Sequence, residues 1–199
     1  VNAYIISNPV KRKCENTDGN YFLYIGNMEK RKGVDLLIKG YLRYKELGGD
    51  KKLILGGKMQ EEDINHLLRE AMSKDKDISY LDYVSHEKKH ELYAGMSAFV
   101  FPSKAEGFGM PVIEVMRFDK PIIASNLPIF DEITDGNINT FDLSGNEAGQ
   151  IENLAHILLD YKKEVKKEAY AAVVDRYAPE RLGQIVYDYV CLSLPLQRV

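Results

Sequence analysis

The sequence contains no tryptophan and only two cysteines, Cys14 and Cys191, among its 199 residues. These cysteines match neither the paired spacing of a zinc site nor a disulfide framework, so they indicate a reducing environment such as the cytoplasm. No apolar run approaches the ~20 residues that a membrane-spanning helix needs. Residues 1–6 also lack the basic region and cleavage site of a signal peptide. These absences favour an intracellular globular protein.

The sequence has almost no excess of charge of either sign, since 27 Lys and Arg residues face 30 Asp and Glu residues. A formal net charge of −3 provides no broad basic surface, which argues against nucleic-acid binding. The chain is long enough for one domain with its own core and too short for two large ones. Because it begins at Val1 and not at methionine, we expect a fragment or a processed product.

Short apolar segments alternate with longer amphipathic ones along most of the chain. The predicted strands are 21–25, 52–56, 78–81, 98–101 and 121–124; helices are predicted at about 33–47, 60–72, 86–94 and 111–118, and the last 50 residues are predicted to be wholly helical. This order predicts a doubly wound, Rossmann-like α/β fold: a parallel sheet with helices on both faces. Ligands of such sheets bind beyond the carboxyl ends of the strands, here the loops after Ile25, Gly56, Leu81 and Phe101.

A glycine-containing loop follows the fourth predicted strand, in the segment Phe101-Pro102-Ser103-Lys104-Ala105-Glu106-Gly107-Phe108-Gly109-Met110-Pro111-Val112-Ile113-Glu114. Proline at position 111 suits the first turn of a helix. The backbone N–H groups of residues 107–110, at that helix start, are expected to bind a phosphate or another anion. Glu106 and Glu114 flank this site, and a carboxylate can accept two hydrogen bonds from the vicinal diol of a ribose or hexose.

Each of these glutamates also has a simpler interpretation when it is taken alone. Glu114 would then only complement the helix dipole, and Glu106 would be a solvated loop residue. An anion site flanked by two diol acceptors nevertheless suits a sugar nucleotide.

A second charged turn follows the first predicted strand, in Gly26-Asn27-Met28-Glu29-Lys30-Arg31-Lys32-Gly33. It places Arg31 and Lys32 at the end of a strand and the start of a helix. Cations at that position oppose the helix dipole, which a bound anion would compensate. The alternative is an ordinary solvated run of charges.

Together these segments resemble a known family. Glu106 and Glu114, separated by seven residues that include Gly-Phe-Gly-Met-Pro, are similar to the E-x7-E signature of the retaining glycosyltransferases of family four, the group 1 glycosyl transferases. The 26–33 segment resembles the phosphate-binding loop of that family. The resemblance runs from about residue 8 to residue 189 and includes Leu81-Asp82-Tyr83-Val84-Ser85, Leu92-Tyr93, Pro121-Ile122-Ile123-Ala124-Ser125 and Glu132-Ile133.

The resemblance implies a GT-B architecture, in which two doubly wound domains face each other across the active site. Residues 1–199 would form the carboxyl-terminal domain that binds the nucleotide sugar, and Asn8-Pro9-Val10 would follow the crossover from an amino-terminal acceptor domain absent from this chain. The implied reaction is transfer of a hexose from a UDP- or GDP-sugar, with retention of configuration, to a carbohydrate or lipid-linked acceptor. No metal or other cofactor is implied. The implied location is the cytoplasm, with peripheral membrane contact through the absent half, and the isolated domain is expected to be inactive.

The resemblance also implies roles for single residues. Glu114 would bind the ribose hydroxyls, Glu106 would lie near the donor sugar, and Val84 would lie near the base. Arg31 and Lys32 would neutralise the phosphates, and the amides around residues 108–110 would hold the sugar and the diphosphate. The implied catalytic residues are Glu106, Arg31 and Lys32; the implied substrate-binding residues are Gly26, Asn27, Val84, Gly107, Phe108, Gly109, Met110 and Glu114.

The chain departs from the family pattern at two positions. Asn27 stands where many members have arginine, so one phosphate contact is expected to be lost or moved to Arg31. Asp119 replaces the usual glycine before the fifth strand, which we interpret as a turn variant with little bearing on activity.

Three rival interpretations remain to be tested. His86-Glu87-Lys88-Lys89-His90 matches the H-E-x-x-H pattern of zinc metalloproteases, although two lysines inside a core-packed zinc helix would be unusual. Asp75-Lys76-Asp77 matches the D-x-D metal clamp of the other large glycosyltransferase fold, but its charged surroundings favour solvation. Finally, the chain could be a nucleotide-binding module without transferase activity, which only the activity of the complete protein would distinguish.

Overall fold

A computed structural model describes residues 19–178, 180 and 181, which form an α/β fold around a six-stranded sheet. The strands are β1 (Tyr21–Ile25), β2 (Lys52–Gly56), β3 (Ile78–Leu81), β4 (Ala98–Phe101), β5 (Ile122–Ser125) and β6 (Asn139–Phe141). The helices are α1 (Val34–Glu46), α2 (Glu62–Lys74), α3 (His86–Gly95), α4 (Met110–Met116), α5 (Pro128–Thr134), α6 (Glu147–Leu159) and α7 (Lys167–Arg176). A short 3-10 turn, Lys30–Lys32, precedes α1. Cys14, Cys191 and the segment Asn8-Pro9-Val10 lie outside the described residues.

All strand pairs are parallel, in the order β3-β2-β1-β4-β5-β6. The chain therefore builds outward from β1 to β3 on one side, then crosses back to lay β4 on the other side of β1. This reversal is the switch point at which doubly wound sheets bind ligands. The predicted fold class is confirmed.

The helices contact one another in two groups. Helix α1 packs against α2 and α6, while α7 packs against α4 and α5. The α1–α6 contact is close, since a Cβ added to Gly40 would lie 2.7 Å from Cδ2 of Leu154. The predicted apolar face of α1, which includes Leu36, Leu37 and Tyr41, is buried. Among the described residues, no helix has the length and apolar character that crossing a membrane requires.

One sequence prediction was wrong toward the carboxyl end of the chain, and two elements were missed. The last 50 residues are not wholly helical, because α6 ends at Leu159 and residues 160–166 are irregular before α7. The side chain of Asn139 holds this irregular segment: its Oδ1 accepts from the Lys162 N–H at 2.8 Å, and its Nδ2 donates to the Lys162 carbonyl at 3.2 Å. Helix α5 and strand β6 were not predicted, and β6 has only three residues from which to recognise a pattern.

The substitution of Asp119 for the usual family glycine has a simple backbone explanation. Asp119 has φ +52°, in the left-handed region that glycine adopts without strain. Aspartate is one of the few other residues that visit this region. The expected turn variant is therefore confirmed.

The α1–α6 contact provides a stability prediction with a matched control. Leu154 of α6 is fully buried against α1, whereas Leu159 of the same helix is 41% exposed. We expect Leu154→Ala to lower the free energy of unfolding by about 2–5 kcal/mol, the usual cost of a cavity in a core. Leu159→Ala should change it by less than about 1 kcal/mol. Urea denaturation of both variants measures the difference, and equal effects would contradict the described packing.

Candidate functional site

The loops that follow β1 and β4 are joined through their backbones. The Lys104 N–H donates to the Arg31 carbonyl at 2.9 Å. Gly33 has φ +68°, and a Cβ at this position would lie 1.9 Å from the carbonyl oxygen of Pro102. Only glycine permits both this conformation and this approach. The structure thus brings together the two segments that the sequence singled out.

Lys32 and Glu106 form an ion pair at the centre of this junction. Their side chains are 16% and 9% exposed, respectively. Ser103 Oγ donates to Glu106 Oε1 at 2.8 Å, and Lys32 Nζ lies 5.6 Å from the centroid of the Phe101 ring. The interpretation of Glu106 as a solvated loop residue is therefore wrong. Because an ammonium group has three N–H donors, Lys32 can keep Glu106 and still donate to a ligand.

Arg31 lies at the solvent side of the same junction, with a side chain that is 54% exposed. Its Nη2 pairs with Glu29 Oε1 at 2.8 Å, and its Nη1 donates to the Ala105 carbonyl at 3.1 Å. The guanidinium group therefore links both loops. Ion pairs at such exposed positions are worth only about 0–1 kcal/mol, so a better anion can replace Glu29.

The loop between Glu106 and α4 is shaped by glycine. Gly109 has φ +91°, and a Cβ there would lie 2.7 Å from Cε1 of Phe130. Pro111 occupies the first turn of α4, as the sequence predicted. Because α4 is only seven residues long, what this segment offers a ligand is its backbone N–H groups and not a large helix dipole.

Those N–H groups are available within the described part of the chain. The structure shows no acceptor for the N–H groups of Gly107, Phe108 and Gly109 among residues 19–178. The Phe108 ring packs edge-on against Tyr177, with ring centroids 5.0 Å apart. Tyr177 follows α7 directly, so the end of α7 supports this loop from behind.

Glu114, in the second turn of α4, is almost completely buried. Its Oε2 accepts from Lys89 Nζ at 3.0 Å and from the Tyr93 hydroxyl at 3.2 Å. Burial, followed by the negative charge of Glu114, raises the pKa of Tyr93 well above its usual value, so its hydroxyl stays protonated and donates a hydrogen bond. Glu114 lies beyond the first turn, and its partners are side chains of α3. The interpretation that it only complements the helix dipole is therefore insufficient.

The other predicted binding residues lie along the same edge of the sheet, toward β2 and β3. The Gly26 N–H donates to the Gly56 carbonyl at 2.9 Å, and the Asn27 carbonyl accepts from the Tyr24 hydroxyl at 2.8 Å. Val84 lies over the end of β2, since a Cβ on Gly56 would be 2.8 Å from its Cγ2. All predicted site residues thus belong to loops or helix starts at the carboxyl edge of the sheet.

A cavity of about 480 Å³ lies at the opposite edge, next to the amino ends of β4 and β5. Its lining includes Ser97, Lys120, Pro121 and Tyr161. It does not include any of the residues that the sequence predicted to bind substrate. The shape of this cavity therefore does not locate the chemistry of this domain.

The H-E-x-x-H segment has a different role from the one its pattern suggests. It forms the first turns of α3, capped by Ser85, whose side chain accepts from the Lys88 N–H. The second lysine of the pattern, Lys89, reaches Glu114. Burial lowers the pKa of His90, and its buried Nε2 has no hydrogen-bond partner in the part of the chain that the structure describes. Among the described residues, no group of three or more His, Cys, Asp or Glu side chains is placed to hold a metal ion.

The D-x-D-like segment Asp75-Lys76-Asp77 lies at the amino end of β3, away from the candidate site. Asp77 pairs with Lys45 at 2.9 Å, and its N–H donates to Asp75 Oδ1 at 2.8 Å. These contacts make the segment a turn with an ion pair to α1.

Three residues of the site were not assigned a role from the sequence: Ser103, Lys89 and Tyr93. Ser103 is buried two residues after the end of β4, so the sequence signal that could have identified it is a small polar residue three positions before Glu106. Lys89 and Tyr93 are four residues apart on one face of α3, but the sequence did not show that this face meets α4.

Comparison with known proteins identifies the family of this chain. The model of the family "Glycosyl transferases group 1" matches residues 8–174. Over 127 residues the chain is 38% identical to O-antigen chain mannosyltransferase B of Escherichia coli, which covers 63% of this chain and 33% of that protein. Over 139 residues it is 31% identical to an uncharacterized glycosyltransferase of Methanocaldococcus jannaschii, covering 69% of this chain and 38% of that protein.

Solved structures share the fold at low sequence identity. HepE of Anabaena, in complex with UDP and glucose, has a TM-score of 0.72 at 16% identity and covers 96% of this chain and 55% of its own. The pneumococcal O-GlcNAc transferase GtfA, in complex with UDP and GlcNAc, has a TM-score of 0.71 at 12% identity, with 92% of this chain and 37% of its own covered. The chain thus spans only part of each of these proteins. Since the family model matches most of the chain, and its motifs meet at one edge of a doubly wound sheet, the chain belongs to the group 1 glycosyl transferases.

Proposed function

We propose that this chain binds the donor of a hexosyltransferase, which transfers a hexose from a UDP- or GDP-sugar to a carbohydrate or lipid-linked acceptor with retention of configuration. The observation that carries the proposal is the junction of Lys32, Glu106 and Arg31 beside the N–H groups of residues 107–109, which have no acceptor among the described residues. The names of the Escherichia coli relatives favour mannose as the hexose, and the complexes of HepE and GtfA favour a nucleotide as the carrier.

The charges at the junction are suited to a diphosphate. Lys32 has N–H donors left after it pairs with Glu106, and Arg31 is held by an exposed ion pair with Glu29 and by one hydrogen bond to the Ala105 carbonyl. Together with the N–H groups of the 107–110 loop, these cations can balance the negative charge of the diphosphate, which a divalent metal ion does in other transferases. We therefore propose that donor binding needs no metal ion.

The nucleoside half of the donor fits the region between α3 and the end of β2. Glu114 Oε2 is occupied by Lys89 and Tyr93, which leaves Oε1 without a partner among the described residues. A carboxylate oxygen in this position can accept from the ribose hydroxyls, and Val84 offers apolar contact to the base. Exposed Asn27 offers no charge where arginine is usual, so Arg31 takes over that phosphate contact in our proposal.

The second half of the active site belongs to an acceptor domain outside this chain. Transfer requires donor and acceptor to be held in alignment, so we propose that residues 1–199 alone transfer no sugar. Peripheral contact of the acceptor domain with the inner face of the membrane, in a cytoplasmic enzyme, is part of the same proposal. A nucleotide-binding module without transferase activity is the competing function, and a complete protein that binds sugar nucleotides without ever transferring the sugar would favour it.

Nucleotide binding should not depend on a divalent metal ion. Calorimetric titration of the complete protein with UDP and GDP should show binding of at least one nucleotide. The affinity should be the same in EDTA as without it, because Arg31, Lys32 and backbone N–H groups balance the negative charge of the diphosphate. Addition of Mg²⁺ to the chelator-treated protein is the control. Loss of binding in EDTA, restored by Mg²⁺, would show that the diphosphate needs a metal after all.

We propose a chemical step that retains the anomeric configuration, as the family resemblance implies. The bond between the anomeric carbon and the phosphate oxygen breaks, and its electron pair stays on the leaving diphosphate. The acceptor oxygen forms the new bond on the same face of the sugar, and its proton passes to the leaving phosphate oxygen. Negative charge therefore grows on the diphosphate in the transition state, where Lys32 and Arg31 stabilise it.

Removing the Lys32 side chain should therefore lower the transfer rate more than removing that of a neighbouring lysine. We expect Lys32→Ala to lower the transfer rate of the complete protein about a hundredfold or more, the scale of losing one preorganised charge donor. Lys30→Ala is the matched control, because Lys30 belongs to the same 3-10 turn but pairs with Asp63 at 2.6 Å on α2. Steady-state kinetics at saturating donor separates the two. Equal losses in both variants would mean that Lys32 has no specific role.

Glu106 is the residue that tests the stereochemical assignment. In our proposal it positions Lys32 and the donor sugar and does not become glycosylated, so Glu106→Ala should slow transfer and leave the product's anomeric configuration unchanged. NMR of the product determines that configuration, and mass spectrometry of the wild-type protein with donor alone detects any covalent sugar. A sugar trapped on Glu106, or an inverted product, would require Glu106 to be the nucleophile or base.

A further inference from the structure

Lys89 is a lysine that the proposed reaction does not use, yet it is among the better buried cations of the described chain. Its side chain is 14% exposed, and its Nζ lies 3.0 Å from Oε2 of Glu114, whose side chain is 3% exposed. A carboxylate buried to this degree is costly unless a cation and hydrogen bonds compensate it. Lys89 supplies the cation from α3, on the neighbouring element.

Tyr93 fixes the same oxygen from one turn further along α3. Its hydroxyl donates to Glu114 Oε2 at 3.2 Å. Its ring is fully buried; it packs edge-on against Phe99, with centroids 5.7 Å apart, and in a tilted arrangement against Phe118, with centroids 5.3 Å apart. The Lys89 ammonium lies 5.9 Å from the centroid of the Tyr93 ring. Lys89 and Tyr93 are thus a rigid pair of donors aimed at one oxygen.

These two contacts fix the orientation of the Glu114 carboxylate. Both donors occupy Oε2, so the orientation of the Glu114 side chain is set from α3, and Oε1 has no partner among the described residues. A vicinal diol binds best to a carboxylate whose plane is already fixed, because less conformational entropy is then lost on binding.

We propose that Lys89 and Tyr93 are positioning residues, which hold the carboxylate of Glu114 so that it selects nucleotides with an intact ribose diol. This inference rests on the proposed role of Glu114 in donor binding. It gives the H-E-K-K-H segment a function in nucleotide selection: its second lysine, together with the tyrosine that follows the segment, orients the ribose-binding group.

The test compares nucleotides with and without the diol. The complete protein and its variants are titrated with UDP and GDP and with the 2′,3′-dideoxy forms of both. In the wild type the ribonucleotide should bind about tenfold or more tightly than its dideoxy form, the range expected for hydrogen bonds to a charged group. In Lys89→Ala this preference should shrink to about twofold or less, with little change for the dideoxy form.

Matched variants separate positioning from general loss of structure. Lys88→Ala should keep the full preference, because Lys88 is the adjacent lysine of α3 and pairs with Glu91 at the surface. Lys89→Arg should restore most of the preference, since it keeps a cation within reach of Glu114. Tyr93→Phe keeps the packed ring and removes one donor, so it should reduce the preference severalfold. This variant serves as the test if Lys89→Ala does not fold.

The outcomes are distinct. A wild type that binds neither UDP nor GDP would overturn the proposed function and the inference with it. A wild type that prefers ribonucleotides, with an unchanged preference in Lys89→Ala and Tyr93→Phe, would overturn the inference alone. Equal weakening of both nucleotide forms in these variants would also overturn it, since that pattern indicates loss of structure and not of diol recognition.

Discussion

The close approach of Gly33 to the carbonyl of Pro102 is the constraint on which the candidate site depends. A side chain at position 33 would separate the loops after β1 and β4, because its Cβ would lie 1.9 Å from that oxygen. With glycine in place, the backbone bond from Lys104 to Arg31 forms, and the Lys32 ammonium reaches Glu106. The placement of these charges at this edge of the sheet therefore depends on the absence of a side chain at position 33.

The two glutamates of the E-x7-E pattern are both paired with a lysine, but the surroundings of the two pairs differ. Each is neutralised by a lysine from another element, Glu106 by Lys32 and Glu114 by Lys89. The first pair lies in a junction of loops beside the exposed guanidinium of Arg31, where the arrival of an anion can rearrange contacts. The second pair is buried between two helices and has a tyrosine as an additional donor. The contacts of Glu106 can thus change more easily than those of Glu114, whose carboxylate is held by two donors.

The fold was predictable because β1, β2, β4 and β5 are continuous apolar runs, separated by helices with clear stops. The loops of the site were predictable because glycine, proline and charge occur there at positions with few structural explanations. Lys89 and Tyr93 were not predictable as partners of Glu114, since local sequence does not reveal which face of α3 meets α4. Strand β6 is too short to show a pattern, and residues 160–166 are held by the side chain of Asn139, a long-range contact that periodicity does not report.

The contact between Phe108 and Tyr177 has a consequence for the order of folding. The two rings are about seventy positions apart in the chain, yet one supports the loop whose N–H groups face the candidate donor site. Contacts between distant positions form late, because the closure of long loops must precede them. While the chain emerges from the ribosome, β1 to β4 can pair before α7 exists, and the loop that contains Phe108 then lacks its contact with Tyr177. The candidate site is therefore among the last features of this fold to form.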